Sequence, residues 1–254
     1  MLEIVQLPVL NDNYIYILHE PIGNQTAVVD PSLAGPVLDA LNDKGWRLNY
    51  IFNTHHHHDH IGGNLELKQQ TGCRIIASAF DKHRIPGIDR TVEHGDKINL
   101  GEETFEIFAT PGHTNGHIVY YCESSKALFC GDTLFSLGCG RLFEGTAEQM
   151  WNSLQLIKAL PESTRIYCAH EYTKANGNFA LTIEADNPAL QRRLEEVATL
   201  VARNQPTVPS TLSQELSTNP FLREQCVAVQ ETLGMLDQEP VDVFARIRQL
   251  KDRF

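Results

Sequence analysis

The chain has 254 residues, 42% of them hydrophobic, enough for one large domain or one domain with a smaller companion. Its 21 Lys and Arg stand against 32 Asp and Glu, a net charge of -11, which argues against nucleic acid as the main partner because that role calls for a basic surface. No stretch approaches about 18 uninterrupted apolar residues, and the opening Met1-Leu2-Glu3-Ile4-Val5 has neither a basic segment nor a long apolar core, so neither a membrane span nor a secretory signal is expected.

Short runs of β-branched, aromatic and aliphatic residues bounded by Gly, Pro, Asn or Asp predict strands over 14–19, 26–30, 50–53, 74–77, 104–109, 117–122, 127–130 and 165–168. Helices are expected over 36–42, 64–70 and 147–160. In the last, Thr146 can cap the N-terminus, and Trp151, Leu154, Ile157 and Leu160 form an apolar face. Strands with interspersed helices predict an α/β domain with helices packed outside its sheets. After about Tyr172 the character changes. Asn187-Pro188 reads as an N-cap followed by proline at the first helical position, and Leu190, Leu194, Val197 and Val201 repeat at helical spacing. A polar, Pro-containing segment over 204–220 follows, then helical patterns over 222–233 and 241–254, with no strand signal of comparable quality. The expected division is a catalytic domain over 1–172 and a helical domain over 173–254.

Six cysteines occur, at Cys73, Cys122, Cys130, Cys139, Cys168 and Cys226, with no CxxC pair, so a zinc ribbon is not expected. Cys122, Cys130 and Cys168 sit in apolar runs and read as buried thiols of a reducing compartment, which points to the cytoplasm.

Thr54-His55-His56-His57-His58-Asp59-His60 concentrates five histidines and an aspartate in six positions. Neutral imidazole is the commonest metal ligand, and a carboxylate adds a harder oxygen donor. The run follows the apolar residues 48–52 and precedes Gly62-Gly63, so it occupies the loop that leaves a strand. An expression tag would sit at a terminus. Four further phrases place a His or Asp where a strand meets a turn: Asp30-Pro31, Thr110-Pro111-Gly112-His113, Gly131-Asp132-Thr133 and Ala169-His170-Glu171. If those strand ends share one edge, His55, His57, Asp59, His60, His113, Asp132 and His170 converge. One catalytic zinc needs three protein ligands and a water, so seven suit two ions with one bridging carboxylate. His55 and His57, two apart, would face the same way in an extended segment.

His113 taken alone reads as a polar loop residue; its Pro-Gly-His turn after a strand makes it a ligand candidate. Asp30 is either a turn carboxylate or a group that holds an imidazole N–H. His56 and His58 read as supporting or surface groups, and His19, His83, His94 and His117 as structural or solvated. Arg248 and Lys251, three apart, share a helical face, which spacing alone reads as a solvated last turn complementing the helix dipole, with Ile247, Leu250 and Phe254 toward the core.

The T-H-H-H-H-D-H run, T-P-G-H-T, G-D-T and A-H-E, in this order, resemble the motifs of the metallo-β-lactamase superfamily. More narrowly, the chain resembles the glyoxalase II (hydroxyacylglutathione hydrolase) family from end to end. Its marks are Asn11-Asp12-Asn13-Tyr14, Gly131-Asp132-Thr133-Leu134-Phe135, Gly138-Cys139-Gly140-Arg141, Glu144-Gly145-Thr146, His170-Glu171-Tyr172 and Asn219-Pro220-Phe221. The resemblance implies a four-layer αββα sandwich followed by a small all-helical domain. It implies two divalent ions, zinc by default with iron or manganese as alternatives: His55, His57 and His113 on one, Asp59, His60 and His170 on the other, Asp132 bridging. Asp59 and Asp132 are then the catalytic carboxylates, Asp59 also orienting the nucleophile. The implied reaction is hydrolysis of S-D-lactoylglutathione to D-lactate and glutathione by a metal-activated hydroxide, the second step of methylglyoxal detoxification, in a cytoplasmic monomer. Arg141, Tyr172, Arg248 and Lys251 would meet the glutathione moiety. Phe143 stands where a tyrosine is common in the family, which removes one hydroxyl.

Other readings share the motifs. β-Lactamases of this fold commonly carry cysteine where Asp132 stands, and a nuclease would want a basic face. A persulfide dioxygenase uses one iron and O₂ on a similar ligand set; the helical tail with Arg248 and Lys251 favours the hydrolase. A non-enzymatic metal-binding scaffold would have no use for the tail residues.

Overall fold

A computed structural model describes residues 1–254. The chain forms two compact units, one of Met1–Ala109 with Asn115–Gly131 and one of Thr110–Thr114 with Asp132–Phe254.

The first unit runs β1 (Glu3–Val9), β2 (Asn13–Glu20), β3 (Gln25–Val29), α1 (Ala34–Lys44), β4 (Leu48–Phe52), α2 (His58–Ile61), α3 (Asn64–Thr71), β5 (Arg74–Ser78), β6 (Ile88–Val92), β7 (Lys97–Leu100), β8 (Glu103–Ala109), β9 (Ile118–Cys122) and β10 (Ala127–Gly131). Strands β1 to β6 lie in sequence order in one sheet, antiparallel from β1 to β3 and parallel from β3 to β6. Strands β7 to β10 form an antiparallel meander.

Side chains alternate across the first sheet with period two. Ile15, Ile17, Val28, Ile51 and Ile75 face Val37 and Leu41 of α1 and Leu67 of α3, making one buried cluster. The alternate positions face the meander. The Phe52 ring stacks on Tyr120 at 5.1 Å and meets Phe105 edge-on at 5.5 Å, and Tyr16 meets Phe129 at 5.7 Å. The buried Tyr120 hydroxyl donates to the Asn53 and Ile76 carbonyls, so its polar tip is satisfied inside an aromatic layer. Burying a ring such as Phe52 contributes about 2–3 kcal/mol. This layer holds the C-terminal end of β4, and with it the start of the histidine loop.

The second unit contains the hairpin β11 (Leu134–Phe135) and β12 (Gly138–Cys139), α4 (Ala147–Lys158), β13 (Arg165–Cys168), α5 (Thr173–Ile183), α6 (Pro188–Ala202), β14 (Ser210–Thr211), α7 (Leu212–Thr218), a 3₁₀ turn at Pro220–Leu222, α8 (Val227–Leu233) and α9 (Pro240–Asp252). Thr146 caps α4 in a reciprocal capping box with Gln149. The Asn187 side chain caps α6 by accepting from the Ala189 and Leu190 N–H groups, with Pro188 at the first position. The hairpin is anchored from α7. Buried Glu215 accepts from the Leu137 N–H, and Asn219 Nδ2 donates to the Phe135 and Gly138 carbonyls. No helix is long and apolar enough to cross a membrane.

The predicted strands all form, within two residues at each end. β1, β6 and β7 lie at or near sheet edges, and their exposed positions weaken the apolar signal. The tail is not strand-free: Ser210–Thr211 pairs with Arg165 and Ile166 of β13. The segment over 204–220 also contains α7, started by a Thr211–Gln214 capping box. The expected helix over 222–233 is two elements, the 3₁₀ turn and α8. α5 carries two Asn and Gly177, which weaken the helical signal; the absent side chain at Gly177 admits Leu194 of α6. Phe254 does not enter the core: it is 64% exposed, while Ile247 is fully buried.

Candidate active site

In the first unit, His55, His57, Asp59 and His60 lie in the loop after β4 and in α2. His55 Nε2 and His57 Nδ1 lie 3.0 Å apart. His55 Nδ1 is 3.0 Å from Thr54 Oγ1, which donates to Asp30 Oδ2 at 2.6 Å. The same carboxylate oxygen is 3.0 Å from His60 Nδ1, and Asp30 Oδ1 accepts from the Thr54 N–H at 2.8 Å. Asp30, buried just past β3, therefore organises the loop from beneath; it is not merely a turn carboxylate. With His60 Nδ1 engaged, Nε2 is the nitrogen left for a metal, and it lies 3.5 Å from Asp59 Oδ2. Asn13 Nδ2 donates to that Asp59 oxygen at 3.0 Å. Asn53 Nδ2 donates to the His60 carbonyl and is itself held by Asn64. Asn53 and Asn64 carry no sequence signal for this role beyond their places at strand and helix ends, and Asn13, although part of the Asn11-Asp12-Asn13-Tyr14 phrase, carries none for a contact with Asp59.

His58 is exposed, as expected. Of the two readings of His117, structural and solvated, the first holds: it is buried, with its ring stacked on His55 at 4.8 Å. His19 stacks on Trp46, while His83 and His94 are exposed.

The second unit contains His113, Asp132 and His170. Asp132 Oδ2 is 3.4 Å from His113 Nε2 and Oδ1 is 3.4 Å from His170 Nε2, so its two oxygens face two different imidazoles. His113 Nδ1 is 2.9 Å from the Arg141 carbonyl, which leaves Nε2 as its outward nitrogen. The turn before it packs on α4: Ser153 Oγ donates to the Pro111 carbonyl, and a Cβ at Gly112, φ 151°, would come within 2.7 Å of Met150 Cβ. His170 lies flat against Tyr172, planes 3° apart, with Phe135 edge-on to both rings. Glu171 faces away and accepts from the Thr207 N–H and hydroxyl, fixing the chain on the far side of His170.

Beside these residues the second unit has a cavity of about 400 Å³, lined by His113, Asp132, Phe135, Cys139, Arg141, Phe143, Tyr172, Arg248 and Lys251. Three cations border it in a chain of net charge -11. Arg248 is buried. Its Nη1 donates to the Cys139 carbonyl at 3.0 Å, its Nε and Nη2 bond Asp252, and its plane lies over Phe221. This is not a solvated last turn. Burial, reinforced by the Arg248 and Arg141 charges, holds the Lys251 ammonium below the usual lysine range. The Cys139 thiol is pushed up to about 11, by burial foremost and against the pull of Arg248, so it is protonated at neutral pH and is no nucleophile. Its Gly-flanked segment is the hairpin β11–β12. Phe143 is 62% exposed and meets His113 edge-on.

The donor chemistry fits divalent ions. The outward atoms are imidazole nitrogens and carboxylate oxygens, and the opposite ring nitrogens of His55, His60 and His113 are each engaged by a neighbouring oxygen, as metal-ligating imidazoles require.

Residues 9–170 match the family model of the metallo-beta-lactamase superfamily, and residues 171–254 match that of the hydroxyacylglutathione hydrolase C-terminus. A metallo-beta-lactamase from Staphylococcus aureus subsp. aureus COL shares the fold, with a TM-score of 0.68 at 20% identity, over 99% of this chain and 71% of that one. The hydroxyacylglutathione hydrolase of Methylococcus capsulatus is 56% identical over 100% of this chain and 99% of its own length. That of Rhodospirillum rubrum is 54% identical over 100% and 99%. The chain belongs to the hydroxyacylglutathione hydrolase family of the metallo-β-lactamase superfamily.

Proposed function

We propose that the chain is a metal-dependent thioester hydrolase that cleaves S-(2-hydroxyacyl)glutathione, with S-D-lactoylglutathione as the substrate, to the 2-hydroxy acid and glutathione. Membership of the family along the whole chain supports this reading, as does a C-terminal region of the kind that distinguishes it within the superfamily. The single observation that carries it is Asp132, whose two oxygens each face a different imidazole at the edge of a cation-lined cavity.

In this reading His55, His57 and His113 would hold one divalent ion, Asp59, His60 and His170 would hold a second, and Asp132 would serve both. The N/O donor set suits zinc, and also iron or manganese. Two bound ions would make hydroxide available near neutral pH and concentrate positive charge where the thioester carbonyl becomes an oxyanion. The chain's own residues do the rest. Asp30 and Thr54 hold the imidazoles, Asn13 holds Asp59, and Asp59 orients the nucleophile. Arg141, Arg248 and Lys251 meet the carboxylates of the glutathione moiety, and Tyr172 borders it. Phe143, lacking a hydroxyl, offers an apolar edge there. The leaving thiolate has a pKa of about 8.5–9 by analogy with cysteine and departs with little protonation, so no strong general acid is needed. None of the six cysteines is in a disulfide, which suits a cytoplasmic setting. We assign the work to domains at 1–172 and 173–254, the first for chemistry and the second for glutathione, in a monomer.

Asp132→Asn tests the assignment. The account expects the metal content of the purified protein to fall by at least one ion per chain and thioester hydrolysis to be lost. Full metal content with unchanged turnover would refute it.

A further inference from the structure

His56 stands between the proposed ligands His55 and His57, and no metal assignment uses it. Its Nδ1 lies 3.6 Å from Asp81 Oδ2 and its Nε2 lies 3.4 Å from Arg84 Nη1. Asp81 is completely buried. Arg84 Nε donates to Asp81 Oδ1 at 2.8 Å, and Arg84 Nη2 makes a second short bond to the same oxygen. The backbone N–H groups of Arg84 and Ile85 donate to the Asp81 carbonyl, closing the turn that carries both side chains. The Arg84 guanidinium also lies over the Phe80 ring at 5.4 Å. Gly116 leaves the room this pair needs, since a Cβ there would overlap Asp81 Oδ1.

Two features separate this pair from an ion pair that only closes its own turn. A wholly buried carboxylate costs several kcal/mol unless it is paired and hydrogen-bonded. Here the Arg84 fork satisfies one oxygen, and the other, which accepts no hydrogen bond, is aimed at His56. The two partners also meet opposite sides of one imidazole with opposite charge. A ring protonated on Nδ1 turns its N–H toward the carboxylate and its lone pair toward the guanidinium. The reverse tautomer would meet both partners with the wrong group.

We propose that Asp81 and Arg84 are positioning residues for the metal site. They lock His56 in one orientation, and with it the backbone that carries His55 and His57, so those imidazoles are set before an ion arrives. Supporting groups of this kind set ligand geometry, and their loss weakens metal affinity by about 10–100-fold. The inference rests on the metal-site reading above. The four-residue phrase Asp81-Lys82-His83-Arg84 lies outside every motif read from the sequence.

The test uses the full-length protein with Asp81→Asn, and with Arg84→Lys, which keeps the charge and loses the fork. Zinc affinity is measured by competition with a chromophoric chelator, and ligand geometry by the visible absorption of the Co²⁺-loaded protein. KM for the thioester is measured at saturating zinc. Zinc affinity at one ion should fall at least tenfold in both variants, with altered cobalt bands and KM within about twofold of wild type. If Asp81→Asn fails to fold, Arg84→Lys alone decides. Wild-type zinc affinity and an unchanged cobalt spectrum in a folded variant would overturn the proposal while leaving the metal site intact. A wild-type protein that takes up no ion would overturn the metal-site reading itself, and this inference with it.

Discussion

Arg248→Ala should destabilise the protein as well as weaken substrate binding. The buried guanidinium donates to the Cys139 carbonyl at 3.0 Å, a charged hydrogen bond of about 1.5–3 kcal/mol. It lies over Phe221 at 5.1 Å, which adds about 0.5–1 kcal/mol. Its pair with Asp252, whose side chain is 44% exposed, contributes little. The loss is then about 2–4 kcal/mol, or a fall in Tm of about 4–16 °C for a chain of this size. Lys251→Ala removes a half-buried ammonium that lies over the Phe179 and Phe254 rings at 5.5 and 5.3 Å but has no charged hydrogen bond comparable to that of Arg248 with Cys139, so its Tm should fall less than that of Arg248→Ala. Thermal unfolding followed by circular dichroism, beside steady-state kinetics, tests both. KM for the glutathione thioester should rise more than kcat falls in each variant. An Arg248→Ala protein with unchanged Tm and unchanged KM would refute both the anchoring and the substrate role.

The depressed Lys251 pKa makes substrate binding sensitive to alkali. As pH rises into the alkaline range, KM should climb earlier than it would with an ordinary lysine at this place, and Lys251→Gln should flatten that climb; a pH-independent wild-type KM would contradict the assignment. Glu184 titrates the other way. Burial opposes its charge, but the Arg223 fork, Asn187 and Cys226 outweigh that and hold its pKa below the usual carboxylate value. The unfolded state therefore binds its proton first as pH falls. The stabilisation is complete above the unfolded carboxylate pKa and disappears as pH drops through the folded one. Urea unfolding from pH 7 to roughly 3 should show Arg223→Met losing less stability on acidification than wild type, and equal losses would contradict this ion pair's role.

The strands that carry the site were legible in the sequence because they are short apolar runs that end at a His, Asp or Gly. Asn187-Pro188 and Thr146 likewise announce α6 and α4 through their own cap chemistry. The elements that escaped obey tertiary rather than local rules. α5 carries Gly177 where Leu194 of α6 packs against its backbone, and β14 is two residues paired with β13. The candidate ligands were readable as motifs, and Asp30 was half readable. His117 on His55, Asn13 on Asp59 and the Asp81–Arg84 pair at His56 join residues from 25 to 62 positions apart, and no spacing in the sequence encodes those contacts. Arg248 shows the same limit from the other side. Its helical spacing describes a surface turn, whereas the fold buries it against Cys139.

Metal-dependent hydrolysis of a glutathione thioester can be observed directly. The most direct measurement follows the loss of the S-D-lactoylglutathione ultraviolet band with protein as purified, after chelation and dialysis, and after zinc is returned. Hydrolysis should vanish on chelation and return with zinc, yielding one D-lactate per thioester consumed. Hydrolysis that survives complete metal removal, or no hydrolysis by the metal-replete protein, would contradict it.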